Sequence, residues 1–191
     1  QQFFANITHE LRTPLTLILG PAEQLMVDFP ELSGSHHLPS IRNNAQKLQN
    51  LIDQLLDLAR IDAGGMDLAL VRDDLNGFVR GVFQAFEPAA QSGNIDFRFE
   101  SDSKEILLDF DPDKVTAVLQ NLLSNAFKYV AKSGKIILSI QNQPEGVEIA
   151  VANTGKGIPA DELPFIFDRF YRVRTRAYQT SSGTGIGLAY A

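Results

Sequence analysis

Two groups of residues in this chain have the types and spacing needed to handle a phosphoryl group. The first lies in Phe3-Phe4-Ala5-Asn6-Ile7-Thr8-His9-Glu10-Leu11-Arg12-Thr13-Pro14-Leu15. A neutral imidazole such as that of His9 is a good nucleophile at pH 7. Glu10 beside it can take the ring proton or hold the tautomer. Thr13 follows His9 by one helical turn, on the same face. The second group lies in Gln120-Asn121-Leu122-Leu123-Ser124-Asn125-Ala126-Phe127-Lys128-Tyr129, where Asn121, Asn125 and Lys128 share one helix face. Neutral amide oxygens suit a hard cation that keeps waters and phosphate oxygens as further ligands. Lys128 adds a point charge for phosphate.

Each group alone has a plainer explanation. A lone His on an amphipathic helix is usually an exposed residue, and a polar helix face usually only meets water. His36 and His37, in a turn, match nothing and read as solvated. Three later segments add to the pattern: Val151-Ala152-Asn153-Thr154-Gly155-Lys156-Gly157-Ile158-Pro159, Phe165-Ile166-Phe167-Asp168-Arg169-Phe170, and Gly183-Thr184-Gly185-Ile186-Gly187-Leu188. Glycines of the last kind let backbone N–H groups approach phosphates at a helix start. Arg172, Arg174 and Arg176 stud the stretch before Ser181-Ser182; of the basic residues here only Arg169 is singled out, for phosphate contact.

The elements that must carry these residues fall into two parts. In the first third, Phe4, Ile7, Leu11, Ile18, Ala22, Leu25 and Phe29 follow a 3-4 spacing, and Ile41, Ala45, Leu48, Ile52, Leu55 and Ala59 repeat it. They predict two long helices joined by a turn over Phe29 to Pro39, with His9 off the apolar seam. Pro14 removes the hydrogen bond to the Glu10 carbonyl and is expected to bend the first helix. One hairpin cannot cover its own seam, so two should combine as a homodimeric four-helix bundle. From Met66 the pattern is mixed α/β. Strands are expected at Ile95–Glu100, Ile106–Phe110, Lys135–Gln141 and Val147–Asn153, and a helix from Pro112, capped by Asp111, to Tyr129.

Composition sets the outer limits. The 191 residues are 44% hydrophobic and 21% charged, as in globular domains. A net charge of −6 argues against direct nucleic-acid binding. No apolar run is long enough to span a bilayer, so no membrane contact by this stretch is expected. The absence of cysteine excludes a disulfide framework and thiolate metal sites. Both ends read as cut from something longer.

Taken together and in this order, the five segments resemble the H, N, G1, F and G2 boxes of the sensor histidine kinases of two-component systems, over essentially the whole chain. His-Glu-Leu-Arg-Thr-Pro matches the family's phosphoacceptor box residue for residue. The resemblance implies a dimerisation and histidine phosphotransfer domain over 1–65 and a catalytic ATP-binding domain over 66–191, C-terminally truncated. The first would be a helical hairpin forming a dimeric four-helix bundle, the second an α/β sandwich of the Hsp90-like (GHKL) type. It further implies ATP-dependent phosphorylation of His9, with Glu10 as base, and transfer to an aspartate of a response-regulator receiver domain. Thr13 falls where relatives position a water that dephosphorylates the receiver. Asn121 and Asn125 would hold Mg²⁺ and phosphate. Lys128, Tyr129, Asn153, Gly155, Gly157, Ile158, Arg169, Gly183, Thr184, Gly185, Gly187 and Leu188 would surround ATP, with the stretch after the F box as a lid. A cytoplasmic location is expected, with a membrane-anchored parent.

The sequence departs from the family at Asn153, where relatives carry an Asp that accepts a hydrogen bond from the adenine amino group. An amide oxygen still accepts that bond without charge assistance, and its second terminal atom is a donor. The expected loss is about 1 kcal/mol, or roughly fivefold in affinity. Two other readings stand beside the kinase: a degenerate kinase that dimerises and signals without phosphorylating itself, and an ATPase or chaperone sharing only the nucleotide fold. Retention of His9, Glu10, Asn125 and the G2 glycines opposes the first, and the His9 hairpin has no task in the second.

Overall fold

A computed structural model describes residues 2–29, 37–62, 67–173 and 185–191, with backbone alone for 2–13, 47, 58, 59 and 62. The chain divides into two compact units, Gln1–Met66 and Asp67–Ala191.

The first unit is a pair of helices, α1 (Gln2–Asp28) and α2 (His37–Asp62), lying against one another. α1 runs unbroken through Pro14 and Pro21. α2 starts at His37, so Pro39 occupies its first turn, where a proline removes no helical hydrogen bond. The connecting turn is therefore shorter than the sequence suggested, and residues 30–36 lie outside the described ones. Leu15, Leu19, Ala45 and Ile52 form the buried seam, with Ala22 buried beside it. Of the expected seam residues, Ala22, Ala45 and Ile52 are buried within the chain and Ile18, Leu25, Phe29, Ile41 and Leu48 are exposed on it, while the side chains of Phe4, Ile7, Leu11 and Ala59 lie outside the described ones. The apolar stripe on each helix is wider than one helix–helix contact. Leu15, Leu19 and Ala22 lie along one edge of it, while Ile18 and Leu25 lie along the other.

The second unit runs β1 (Val71–Asp74), α3 (Leu75–Gly93), β2 (Asp96–Ser101), β3 (Leu107–Phe110), α4 (Pro112–Tyr129), β4 (Lys135–Gln143), β5 (Gly146–Asn153), a 3-10 turn at Leu163–Phe165, and α5 (Gly187–Tyr190). β1 and β3 pair antiparallel. In the second sheet β4 is central, parallel to β2 and antiparallel to β5. Alternate residues Ile136, Leu138 and Ile140 of β4 are fully buried, as a period of two requires for a sheet covered on one face. Leu138 and Ile140 pack with Leu75, Val79 and Phe83 of α3 and Leu119 and Leu123 of α4. Phe83 stacks on Phe97 with ring centroids 4.1 Å apart. Val147, Ile149 and Val151 of β5 are half-buried against this core, in the alternation that the sequence predicted.

α3 escaped the sequence reading because Gly77, Gly81, Pro88 and Gly93 dilute its helical signal. Its start is fixed by Asp74. One carboxylate oxygen accepts from the N–H groups of Asn76 (3.1 Å) and Ile106 (2.9 Å), the other from Gly77 (2.9 Å). The Ile106 N–H, followed by those of Gly77 and Asn76, holds this carboxyl below its ordinary value of 3.8 against the opposing effect of burial. A side chain at Gly77 would bring its Cβ within 2.6 Å of that carboxylate, so the cap needs the glycine. Because the folded-state value is depressed, Asp74 stabilises the fold fully above pH 3.8 and ceases to do so as pH falls through its folded-state value. Asp74→Asn keeps a capping oxygen but cannot titrate. In urea titrations followed by circular dichroism it should cost about 1 kcal/mol at pH 7. It should also lose stability less steeply than the parent chain below about pH 4. An unchanged acid slope would contradict this assignment.

Candidate active site

α4 has two faces set by its period. Leu119, Leu123 and Ala126 are buried toward the sheet, so Asn121, Asn125 and Lys128 lie on the other side, half-buried. The helix start is fixed by Asp111, whose Oδ1 accepts from the N–H groups of Asp113 (3.0 Å) and Lys114 (3.1 Å), with Pro112 in the first turn. Its Oδ2 accepts from the Ala69 N–H at 2.9 Å. The Ala69 and Lys114 donors hold this carboxyl below its ordinary value. At the other end the Lys128 ammonium lies 4.8 Å from the centre of the Tyr129 ring.

The end of β5 is knotted to the end of α4. Thr154 donates its N–H to Lys135 O (2.9 Å), and its hydroxyl accepts from the Lys135 N–H (2.7 Å). Ala131 donates to Thr154 O (3.1 Å), and Val130 bridges Gly155. Gly155 sits so close that a Cβ there would lie 2.5 Å from Tyr129 O and 2.7 Å from Asn153 Nδ2. A Cβ at Gly134 would lie 2.7 Å from both Thr154 Oγ1 and Val130 Cγ2. Thr154 and Gly134 are positioning residues that the sequence reading missed; the turn before β4 carried no signal beyond its glycine. Asn153 is thereby held at the mouth of the knot with Tyr129, and Gly157 (φ +66°) and exposed Ile158 follow.

A second tie brings in the later segments. Glu162 N–H to Pro159 O, Phe165 N–H to Glu162 O and Asp168 N–H to Phe165 O coil residues 159–168, and the Tyr171 hydroxyl bonds the Glu162 carboxylate. Arg169 is exposed just beyond. Phe170 then donates its N–H to Gly185 O at 2.8 Å. Gly185 has φ +74°, and a Cβ there would lie 2.6 Å from the Phe170 carbonyl carbon and 2.7 Å from Tyr171 O. Two residues on, a Cβ at Gly187 would meet Asn121 Oδ1 at 3.1 Å, and α5, carrying half-buried Leu188, packs on α4.

Asn121, Asn125, Lys128 and Tyr129 therefore lie on α4, Gly155 and Gly187 lie directly against it, Leu188 is on α5 packed on it, and Asn153 and Gly185 stand beside them in the chain, at the end of β5 and in the turn tied to Phe170. Gly183 and Thr184 lie outside the described residues, as do Arg174, Arg176, Ser181 and Ser182. His9, Glu10 and Thr13 lie on α1, in the other unit, where the backbone is helical. Among the described residues no three His, Cys, Asp or Glu side chains gather as metal ligands. A cation here would draw on amide and phosphate oxygens. The arrangement fits one: Asn121 Oδ1 borders the space that the missing Gly187 side chain leaves, and Asn125 is one turn along the same face.

Residues 1–64 match the profile of the His Kinase A (phospho-acceptor) domain, and residues 110–191 that of the histidine kinase-, DNA gyrase B-, and HSP90-like ATPases. The chain belongs to the histidine kinase family. It is 36% identical over 195 residues to hybrid signal transduction histidine kinase D of Dictyostelium discoideum, covering 98% of this chain and 12% of that one. Full-length ShkA solved with AMPPNP superposes with a TM-score of 0.75 at 28% identity, over 99% of this chain and 39% of ShkA. The histidine kinase ThkA, solved in complex with the response regulator protein TrrA, gives 0.53 at 27% identity, over 90% of this chain and 51% of that one. The chain thus spans a minor part of the first relatives it matches. The α/β unit has the ATPase fold of that family. No helix among the described residues is long and apolar enough to cross a membrane.

Gly157 and Gly185, both left-handed, separate backbone strain from crowding. Gly157→Ala, with nothing within 4 Å of its Cβ, should cost about 1 to 2 kcal/mol from φ alone. Gly185→Ala adds collision with backbone atoms and should cost more, by about 1 to 3 kcal/mol. Equal losses in chemical denaturation would contradict the tie between Phe170 and Gly185.

Proposed function

We propose that this chain transfers the γ-phosphoryl group of ATP to His9 and passes it to an aspartate of a response-regulator receiver domain. The observation that carries this reading is the gathering of amides, one lysine and two glycine turns onto the outer face of α4. A separate helix carries His9 within a matching phosphoacceptor sequence. Supporting the partner is the solved complex of the relative ThkA with a response regulator.

In this reading the adenine amino group donates to Asn153 Oδ1, and Tyr129, Gly155, Gly157 and Ile158 line the base. Lys128, Arg169 and the turn from Gly183 through Thr184, Gly185 and Gly187 to Leu188 hold the phosphates. Asn121 and Asn125 would hold a Mg²⁺ ion, which neutralises charge on the phosphate oxygens when bound. A ring nitrogen of His9 attacks the γ-phosphorus as the bond to the ADP oxygen breaks, and Glu10 takes the proton from the other ring nitrogen. Positioning and charge neutralisation supply most of the rate. Thr13, one turn from His9, would orient the water for a phosphatase reaction on the receiver. The domain roles follow: 1–65 dimerises and accepts, and 66–191 binds ATP. We place the reaction in the cytoplasm, where ATP is available.

The exposed apolar edge of the hairpin (Ile18, Leu25, Ile41 and Leu48) supports a second copy as the partner that covers it, giving a four-helix bundle. A sedimentation mass of one chain would contradict that dimer. Incubation with γ-labelled ATP and Mg²⁺ should leave acid-labile, base-stable label on the protein, and His9→Gln should abolish it while ATP binding remains. Label that persists in His9→Gln, or no label despite bound ATP, would overturn the phosphoacceptor assignment.

A further inference from the structure

Asn153 stands at the end of β5, exposed, opposite Ile136 and one residue before the Thr154 clasp. The clasp fixes its backbone. No hydrogen bond joins its side-chain amide to a described residue, and its Nδ2 lies 2.7 Å from the place that a Cβ on Gly155 would take. No hydrogen bond among the described residues therefore fixes the amide plane against its 180° flip.

A carboxamide with that freedom presents an acceptor beside a donor, in either order. With Oδ1 toward the 6-position it accepts from an adenine amino group, and Nδ2 donates to the adjacent N1 lone pair. Flipped, Nδ2 donates to the O6 of a 6-oxopurine, and Oδ1 accepts from its N1–H. The two purine types present opposite donor and acceptor order on this edge, and the amide complements both. A carboxylate has acceptors only. It would accept from the adenine amino group but face the O6 of a 6-oxopurine with like partial charge.

We propose that Asn153 opens the nucleotide site to 6-oxopurine triphosphates, the class of guanosine and inosine triphosphates, alongside ATP, so that the purine edge is not what this chain selects. This rests on the reading that residue 153 meets the base. It goes beyond that reading in naming a second class of phosphoryl donor. The chemistry of transfer is unchanged, since the γ-phosphate and the ADP or GDP leaving oxygen are the same in either case.

The test titrates the full chain with ATP and with inosine triphosphate, each with Mg²⁺, by calorimetry, for the parent and for Asn153→Asp. Inosine triphosphate differs from ATP only at the 6-position and N1, so the comparison reads that edge alone. The parent should bind both within about tenfold, whereas Asn153→Asp should bind ATP about fivefold more tightly and inosine triphosphate roughly tenfold to hundredfold more weakly. The variant is exposed and isosteric, and ATP binding by it reports that the fold survives. If the parent binds ATP but rejects inosine triphosphate by more than about a hundredfold, or if Asn153→Asp leaves the ratio unchanged, the inference is overturned while the nucleotide site stands. If the parent binds neither, both fall together.

Discussion

Asp111 accepts three backbone N–H groups at once, from Ala69, Asp113 and Lys114, and so fixes where α4 begins and how the chain enters the second unit. A helix repeats every 3.6 residues, so fixing its start and its buried face leaves no freedom in where its remaining residues point. Once Leu119, Leu123 and Ala126 are committed to the core, Asn121, Asn125 and Lys128 must face away from it. The later segments then close on that outer face. The Ala131–Thr154 hydrogen bond and the Val130–Gly155 bridge tie one loop to the end of α4, and the Phe170–Gly185 bond delivers Gly187 to Asn121. Packing and polar function are thus two sides of one helix, and neither can move without the other.

The glycines at these ties act by having nothing to collide. At Gly155 the obstacle is the Tyr129 carbonyl, at Gly134 the Thr154 hydroxyl, and at Gly185 the backbone of Phe170 and Tyr171. Each marks a place where a neighbouring group comes closer to the backbone than a side chain there would allow. Among the described motif glycines, Gly185 and Gly157 have a left-handed φ and Gly155 and Gly187 do not, so they are not interchangeable in their physical task.

What could be read from residues alone followed the strength of local signals. Asp111-Pro112 and a clean helical period gave α4 its two ends, Pro112 and Tyr129, and alternation gave β5 to within one residue. α3 was not legible, because its glycines and Pro88 weaken local propensity and tertiary burial of Leu75, Val79 and Phe83 decides the matter. On the hairpin the apolar residues were legible but the seam was not. A stripe wider than one helix–helix contact does not say which edge packs within the chain, and the structure chose Leu15 and Leu19 over Ile18 and Leu25. For the site, the residue types and their order were visible. The Thr154 and Gly134 clasp was not, since it depends on β4 and β5 being neighbours.

The central claim is that a nucleotide is received on the outer face of α4 and by the two loops tied to it. Backbone amide shifts of the isotopically labelled chain, recorded as Mg²⁺ and a non-hydrolysable ATP analogue are added, test it most directly. The largest changes should fall at Asn121, Asn125, Asn153, Gly155, Gly157, Gly185 and Gly187. Saturable changes confined elsewhere, for example to the open cleft lined by Glu87, Gln91, Asn94 and Ser133, would contradict it.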